Sequence, residues 1–309
     1  MTSTTAGAAP ERPTAFRIWL LAIRPATLPA ALSGVVVGLG AALAVGTPFR
    51  LDAAIGCFAV ALLLQITANL ANDLSDFRKG ADTPDRTGPI RVAAAGLVTE
   101  RQLEVAIGVT VGLAGLVGLW LTLIGGPILL VIGVLAIVAA LAYTGGPWPY
   151  GYRGLGEVFV FVFFGLVAVG GSAYLQAGRL EPLFAAAAIP VGALTTAILV
   201  VNNLRDIPTD AAAGKRTLAV VLGRRATVIE YELLLAVAFL VPVALAIGGR
   251  GIAVLLPVLA VPLARPLLRT VRTFSEPRQL NLVLKGTARL ALIFGLLFGV
   301  GLAIESVVG

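Results

Sequence analysis

Runs of about 20 apolar residues, each long enough to cross the hydrocarbon core of a bilayer, recur along nearly the whole 309-residue chain. Nothing else restricts the fold as much. A segment inside lipid must satisfy its own backbone hydrogen bonds, and a continuous apolar run does so as a helix. Nine spans can be placed, at 26–46, 52–73, 102–122, 126–144, 157–176, 183–203, 227–247, 250–268 and 288–308. The expectation is an all-α polytopic membrane protein, its nine helices forming one transmembrane domain over 17–309. The small, polar, Pro-containing start MTSTTAGAAPERP lacks the compact apolar core of a cleaved signal peptide, so residues 1–16 are expected to be a disordered lead and the first span to be retained.

Charge follows the membrane. With the N-terminus in the cytoplasm, only Arg50, Arg179 and Arg250 of the 23 Lys and Arg residues fall outside, as the positive-inside rule demands. The net charge of +7 is thereby assigned to the anionic inner leaflet, and no nucleic-acid partner is needed. The sequence has no histidine, which excludes histidine acid–base chemistry and histidine-ligated metals. Its single cysteine, Cys57, lies within a span, which excludes an intramolecular disulfide.

What topology does not explain is the placement of acid. Six of the seven aspartates fall in two segments, NDLSDFRKGADTPDR at 72–86 and NNLRDIPTD at 202–210. Each follows an even-numbered span, so both are expected at the cytoplasmic face. They share Asn, Leu and Asp at a constant offset of 130 residues. On a continuing helix Asn72 and Asp76 share one face, as do Asn202 and Asp206. Pro208 is expected to bend or end the sixth helix before Asp210. Carboxylates so close to hydrocarbon are costly unless a cation neutralises them, and all-oxygen ligands suit Mg²⁺. The interleaved bases Arg78, Lys79, Arg86, Arg91, Arg205, Lys215 and Arg216 suit phosphate, so acids for metal beside bases for phosphate point to a diphosphate ligand.

These residues resemble the UbiA superfamily of intramembrane prenyltransferases, and most closely its branch acting on 1,4-dihydroxy-2-naphthoate. The resemblance is carried by RPATLPAA at 24–31, NDLSDFRKGADTPDRTGPIRVAAAGLV at 72–98, YTGGPWPYGYRGLGEVFVFVFFGLVAVGGSAYLQ at 143–176, NNLRDIPTDAAAGKRTLAVVLG at 202–223 and LNLVLKGTARL at 280–290. It implies a UbiA-like helical bundle around a central cavity that moves a polyprenyl group from polyprenyl diphosphate to the naphthoate ring, with loss of the ring carboxylate as CO₂, to give demethylmenaquinone in its reduced, quinol form. The site it implies has Asn72, Asp76, Asn202, Asp206 and Asp210 holding Mg²⁺, and Lys79, Arg86, Arg91, Lys215 and Arg216 binding the diphosphate. Where the superfamily's first motif has an aspartate four residues after Asp76, this chain has Gly80, and Asp82 comes two later. Asp73 and Asp82 are candidate proton acceptors or further ligands, and the sequence does not choose.

Tyr143 and Tyr152 lead the aromatic candidates for shielding an allylic cation, ahead of Trp148, Tyr150, Phe159, Phe161, Phe163 and Phe164, against a background in which Trp and Tyr anchor membrane interfaces. Glu157 is expected to pair with Arg153, Arg24 to anchor topology or reach the diphosphate, and Gly34, Gly38 and Gly40 to permit close helix packing. Asn281, Lys285 and Arg289 match the family without a stated role. A sister enzyme with another acceptor and a divalent-cation transporter are the competing readings.

Overall fold

The computed structural model describes residues 13–80 and 88–308, and the side chains as far as Glu305; Asp82, Asp85 and Arg86 lie outside the described residues. Every regular element among the described residues is helical. Eight helices are long and apolar enough to span a membrane: α1 (Ala15–Leu43), α2 (Leu51–Arg78), α3 (Glu100–Gly125), α5 (Gly156–Ala177), α6 (Pro182–Ala212), α7 (Leu218–Ile247), α8 (Ile252–Thr273) and α9 (Pro277–Glu305). A shorter apolar helix, α4 (Ile128–Ala142), completes the nine.

The bundle has an interior and a lipid-facing rim. The apolar stretch of α6 is 72% buried, against 11% for α3, so α6 forms the centre and α3 the periphery. Lipid offers apolar side chains as good a solvent as protein does, so close packing of small residues holds such a bundle together. A Cβ on Gly40 would fall 2.1 Å from the Gly299 carbonyl oxygen, and one on Gly38 2.5 Å from that of Val169, so the glycine face of α1 fits directly against α9 and α5. A Cβ on Gly165 would meet Gly192 Cα at 2.8 Å, which sets the contact of α5 with α6.

Several boundaries differ from the sequence expectation, at polar helix ends: α1 begins at Ala15 rather than near 26, α7 begins at Leu218 rather than near 227, and α8 runs on to Thr273. α2 stays helical through Asn72–Arg78, and α9 begins at Pro277 rather than near 288. Nor does Pro208 end α6: the helix carries it internally and runs on to Ala212. Proline removes one backbone donor, a loss the helix tolerates here with ion pairs on both sides, Arg205–Asp206 before Pro208 and Asp210–Lys215 after it.

α1 is broken once. Arg24, held before Pro25 where the α conformation is disfavoured, adopts φ 55°, the only positive φ outside glycine among the described residues. The break turns its guanidinium toward Asp73, 3.9 Å away.

Candidate active site

Because α2 and α6 remain helical through their acidic motifs, both motifs present their side chains at the same end of the bundle. Asp76 is 2% exposed and saturated with donors. Its Oδ2 accepts from Arg91 Nη2 at 2.9 Å, while Oδ1 accepts from the Tyr152 hydroxyl at 2.7 Å and from Lys215 Nζ at 3.4 Å. The same ammonium stands 3.7 Å from Asp210 Oδ1, so one lysine spans the two motifs.

Arg205 organises the second motif. Its Nε and Nη2 grip both oxygens of Asp206, at 2.7 and 2.6 Å, Nη2 also reaches Asn202 Oδ1 at 2.8 Å, and Nη1 reaches Asn281 Oδ1 on α9 at 2.9 Å. A guanidinium can do this because its donors lie in one rigid plane. Asn72, in the first motif, accepts from Thr144 Oγ1 at 2.9 Å, and Lys79 Nζ donates to the Thr144 carbonyl.

Tyr152 is the hub of the bases. Lys79 Nζ and Lys215 Nζ each lie 4.6 Å from its ring centroid, within cation–π range. Arg216 is exposed, but its backbone N–H donates to the Tyr152 carbonyl at 2.9 Å and thereby fixes the ring's position. Burial pushes the Lys79 ammonium below its usual range; Asp76 opposes the shift and Lys215 adds to it. Tyr143 is partly accessible, and its hydroxyl makes no hydrogen bond among the described residues. Burial of the phenol raises its pKa well above the ordinary value, and the charges of Glu157, Asp210 and Asp76 raise it further, so it remains a neutral donor. From Tyr143 an aromatic ladder enters α5: edge-on to Tyr150 at 5.4 Å, then Tyr150 stacked on Phe159 at 3.9 Å, then Phe159 on Phe163 at 6.2 Å.

Of the expected residues, Asn72, Asp76, Lys79, Arg91, Tyr143, Tyr152, Asn202, Asp206, Asp210 and Lys215 come together here. Asp73 has another task. Its oxygens accept from the Val92 and Ala93 N–H groups at 3.1 and 3.2 Å, because the turn after Arg91 folds over the end of α2. A carboxylate tied to two backbone amides anchors a loop and is poorly placed to take a substrate proton. Glu157 does not pair with Arg153, which stacks on Trp148 at 5.1 Å; it accepts instead from Asn203 Nδ2 at 2.8 Å. Arg205, expected among the bases for phosphate, instead bridges Asp206, Asn202 and Asn281, and Arg78 pairs with Glu100 and Glu104.

Among the described residues no group of three acidic side chains is placed to cage a metal ion. Mg²⁺ commonly takes only one or two protein carboxylates and completes its shell with phosphate oxygens and water, so two aspartates joined through one lysine beside a basic cluster fit that ion.

Residues 31–282 match the UbiA prenyltransferase family. The chain is 43% identical over 281 residues to a 1,4-dihydroxy-2-naphthoate octaprenyltransferase of Mycobacterium tuberculosis, covering 91% of this chain and 95% of that protein. It is 40% identical over 294 residues to the Escherichia coli protein of the same name, covering 92% and 94%. In fold it is similar to a UbiA homologue from Archaeoglobus fulgidus solved with GPP and Mg²⁺, with a TM-score of 0.67 at 14% identity over 93% of this chain and 99% of that one. A match over most of the chain, with relatives at this identity and length, settles the family: the chain belongs to the UbiA prenyltransferases.

Proposed function

We propose that the protein transfers a polyprenyl group from polyprenyl diphosphate to 1,4-dihydroxy-2-naphthoate, with decarboxylation, and that its acidic end faces the cytoplasm of the cell membrane. The observation that carries the reading is the Lys215 ammonium shared by Asp76 and Asp210: it brings two motifs far apart in sequence to one point, with Arg91 on the same Asp76 and Lys79 on the same Tyr152 ring. The acceptor is supported by the relatives' names at 43% and 40% identity across almost the full chain. The orientation rests on the distribution of Lys and Arg.

Asn72, Asp76, Asn202, Asp206 and Asp210 are the residues that would hold Mg²⁺, which when bound neutralises the diphosphate and assists its departure. Lys79, Lys215 and Arg91 turn to the leaving diphosphate, with Arg216 at its outer side, and Arg86 is a further candidate donor from the sequence; charge-assisted donors of this kind strengthen as the allylic C–O bond breaks. The rings of Tyr152 and Tyr143 face the electron-poor allyl group and shield it from water. The ring carbon attacks, a C–C bond forms, and the carboxylate on that carbon leaves as CO₂. Asp73 keeps the loop carrying Arg91 in place, which leaves Asp82 as the remaining candidate for the acceptor's hydroxyl proton.

The test is prenyl transfer by the detergent-purified protein, with labelled polyprenyl diphosphate, Mg²⁺ and a panel of acceptors, read by product mass. A product equal to naphthoate plus prenyl minus CO₂ is expected. Turnover only with 4-hydroxybenzoate, homogentisate or haem would overturn the acceptor assignment.

A further inference from the structure

At the start of α5, next to the acidic end but outside the set of residues just described, Glu157 is 7% exposed. One of its oxygens accepts from Asn203 at 2.8 Å; the other, Oε2, is buried without a hydrogen-bond partner among the described residues. Buried acceptors are almost always satisfied, so an orphaned carboxyl oxygen marks either an internal defect or a place that a ligand completes.

Three features favour a ligand. Asn203, which fixes Glu157, directly follows Asn202 and lies three residues before Asp206, so the motif that faces the diphosphate also sets this carboxyl group. The partly accessible Tyr143 hydroxyl packs against the backbone just before Glu157: a Cβ on Gly156 would lie 3.6 Å from the phenol oxygen. An acceptor oxygen without a donor, beside a phenol, complements a group that carries O–H. The run of π-helix at Phe161–Val167, one turn further along α5, is a departure from regular helix that often accompanies ligand sites.

We infer that Glu157, positioned by Asn203, binds a ring hydroxyl of the aromatic acceptor and so orients the ring carbon that is prenylated. The inference rests on the transferase reading, but it concerns the acceptor's hydroxyl, whichever hydroxyaryl ring that proves to be. The competing account makes the Glu157–Asn203 bond a mere tie between α5 and α6.

The experiment compares wild-type protein with E157Q and E157D, using the acceptor that the wild type prenylates and its O-methyl ether, which lacks the donor. E157Q keeps the shape and a hydrogen bond to Asn203, and thermal melting of each variant in detergent reports folding. The expected result is that acceptor KM rises about tenfold or more in E157Q while the KM for prenyl diphosphate stays within about twofold, with E157D intermediate. The wild type should prefer the free hydroxyl over the ether, and that preference should collapse in E157Q, because a site built to pair an O–H rejects the analogue lacking it. A preference unchanged in a folded E157Q, or an equal rise in both KM values, overturns the inference. A wild type that prenylates 4-hydroxybenzoate instead of the naphthoate sinks the acceptor assignment alone, and the hydroxyl preference is then read on that acceptor.

Discussion

At the scale of single residues, the site is a set of carboxylates each answered by a fixed cation, and the pairs differ in what they do. Asp76 and Arg91 are both nearly inaccessible, and breaking a buried pair strands a charge, at a typical cost of about 3–5 kcal/mol. Arg205→Ala should therefore lower the melting temperature in detergent as well as activity, since it frees Asp206, Asn202 and Asn281 together, whereas Arg205→Lys restores charge without the planar fork and should recover little of either. Tyr152→Phe deletes the hydroxyl bond to Asp76 and leaves the ring between the two lysines. It should leave folding intact and reduce kcat by about ten- to a hundredfold, as expected for a positioned donor next to a reacting group; unchanged kcat would remove the hydroxyl from the mechanism. The ligand candidates were readable in the sequence because aspartate at a membrane boundary has no topological excuse. The task of Asp73 was not, because it depends on a turn 19 and 20 residues further along folding back over it, and neither was the bond of Glu157 to Asn203, 46 residues away.

At the scale of helices, the spans were legible to within a few residues wherever apolar windows decide them. They failed at the polar ends of α1, α2, α6, α7 and α9, since hydropathy falls there although the helix continues. Helix contact is a stricter matter than hydropathy. Gly40→Leu forces a branched side chain into the Gly299 backbone and should destabilise the protein by more than the ~1–3 kcal/mol usual for an overpacked core, lowering both yield and melting temperature. Gly108, in α3, has open space around the position of a Cβ, so Gly108→Ala should melt at or slightly above the wild-type temperature. If the two glycine variants behaved alike, the proposed packing of α1 against α9 would be wrong.

At the scale of the whole molecule, the cytoplasmic orientation can be tested because the sequence contains one cysteine, Cys57, and it is buried. Ser275 is exposed in the connection between α8 and α9 at the acidic end, and Leu180 is 75% exposed at the opposite end. In inside-out vesicles, a membrane-impermeant maleimide should label Ser275→Cys and spare Leu180→Cys; the reverse pattern would invert the topology.

The Lys215 bridge has a consequence for the protein at rest. With its ammonium between Asp76 and Asp210, the chain carries its own stand-in cation, and the acidic end does not have to wait for metal to be electrostatically quiet. Were a divalent ion held by Asp76 and Asp210, Lys215 would be released to pair with the diphosphate, so the local charge would change little from empty to full. A bundle built this way should survive chelators with its melting temperature nearly intact, while Lys215→Met, stripped of the stand-in, should come to depend on millimolar Mg²⁺ for the same stability.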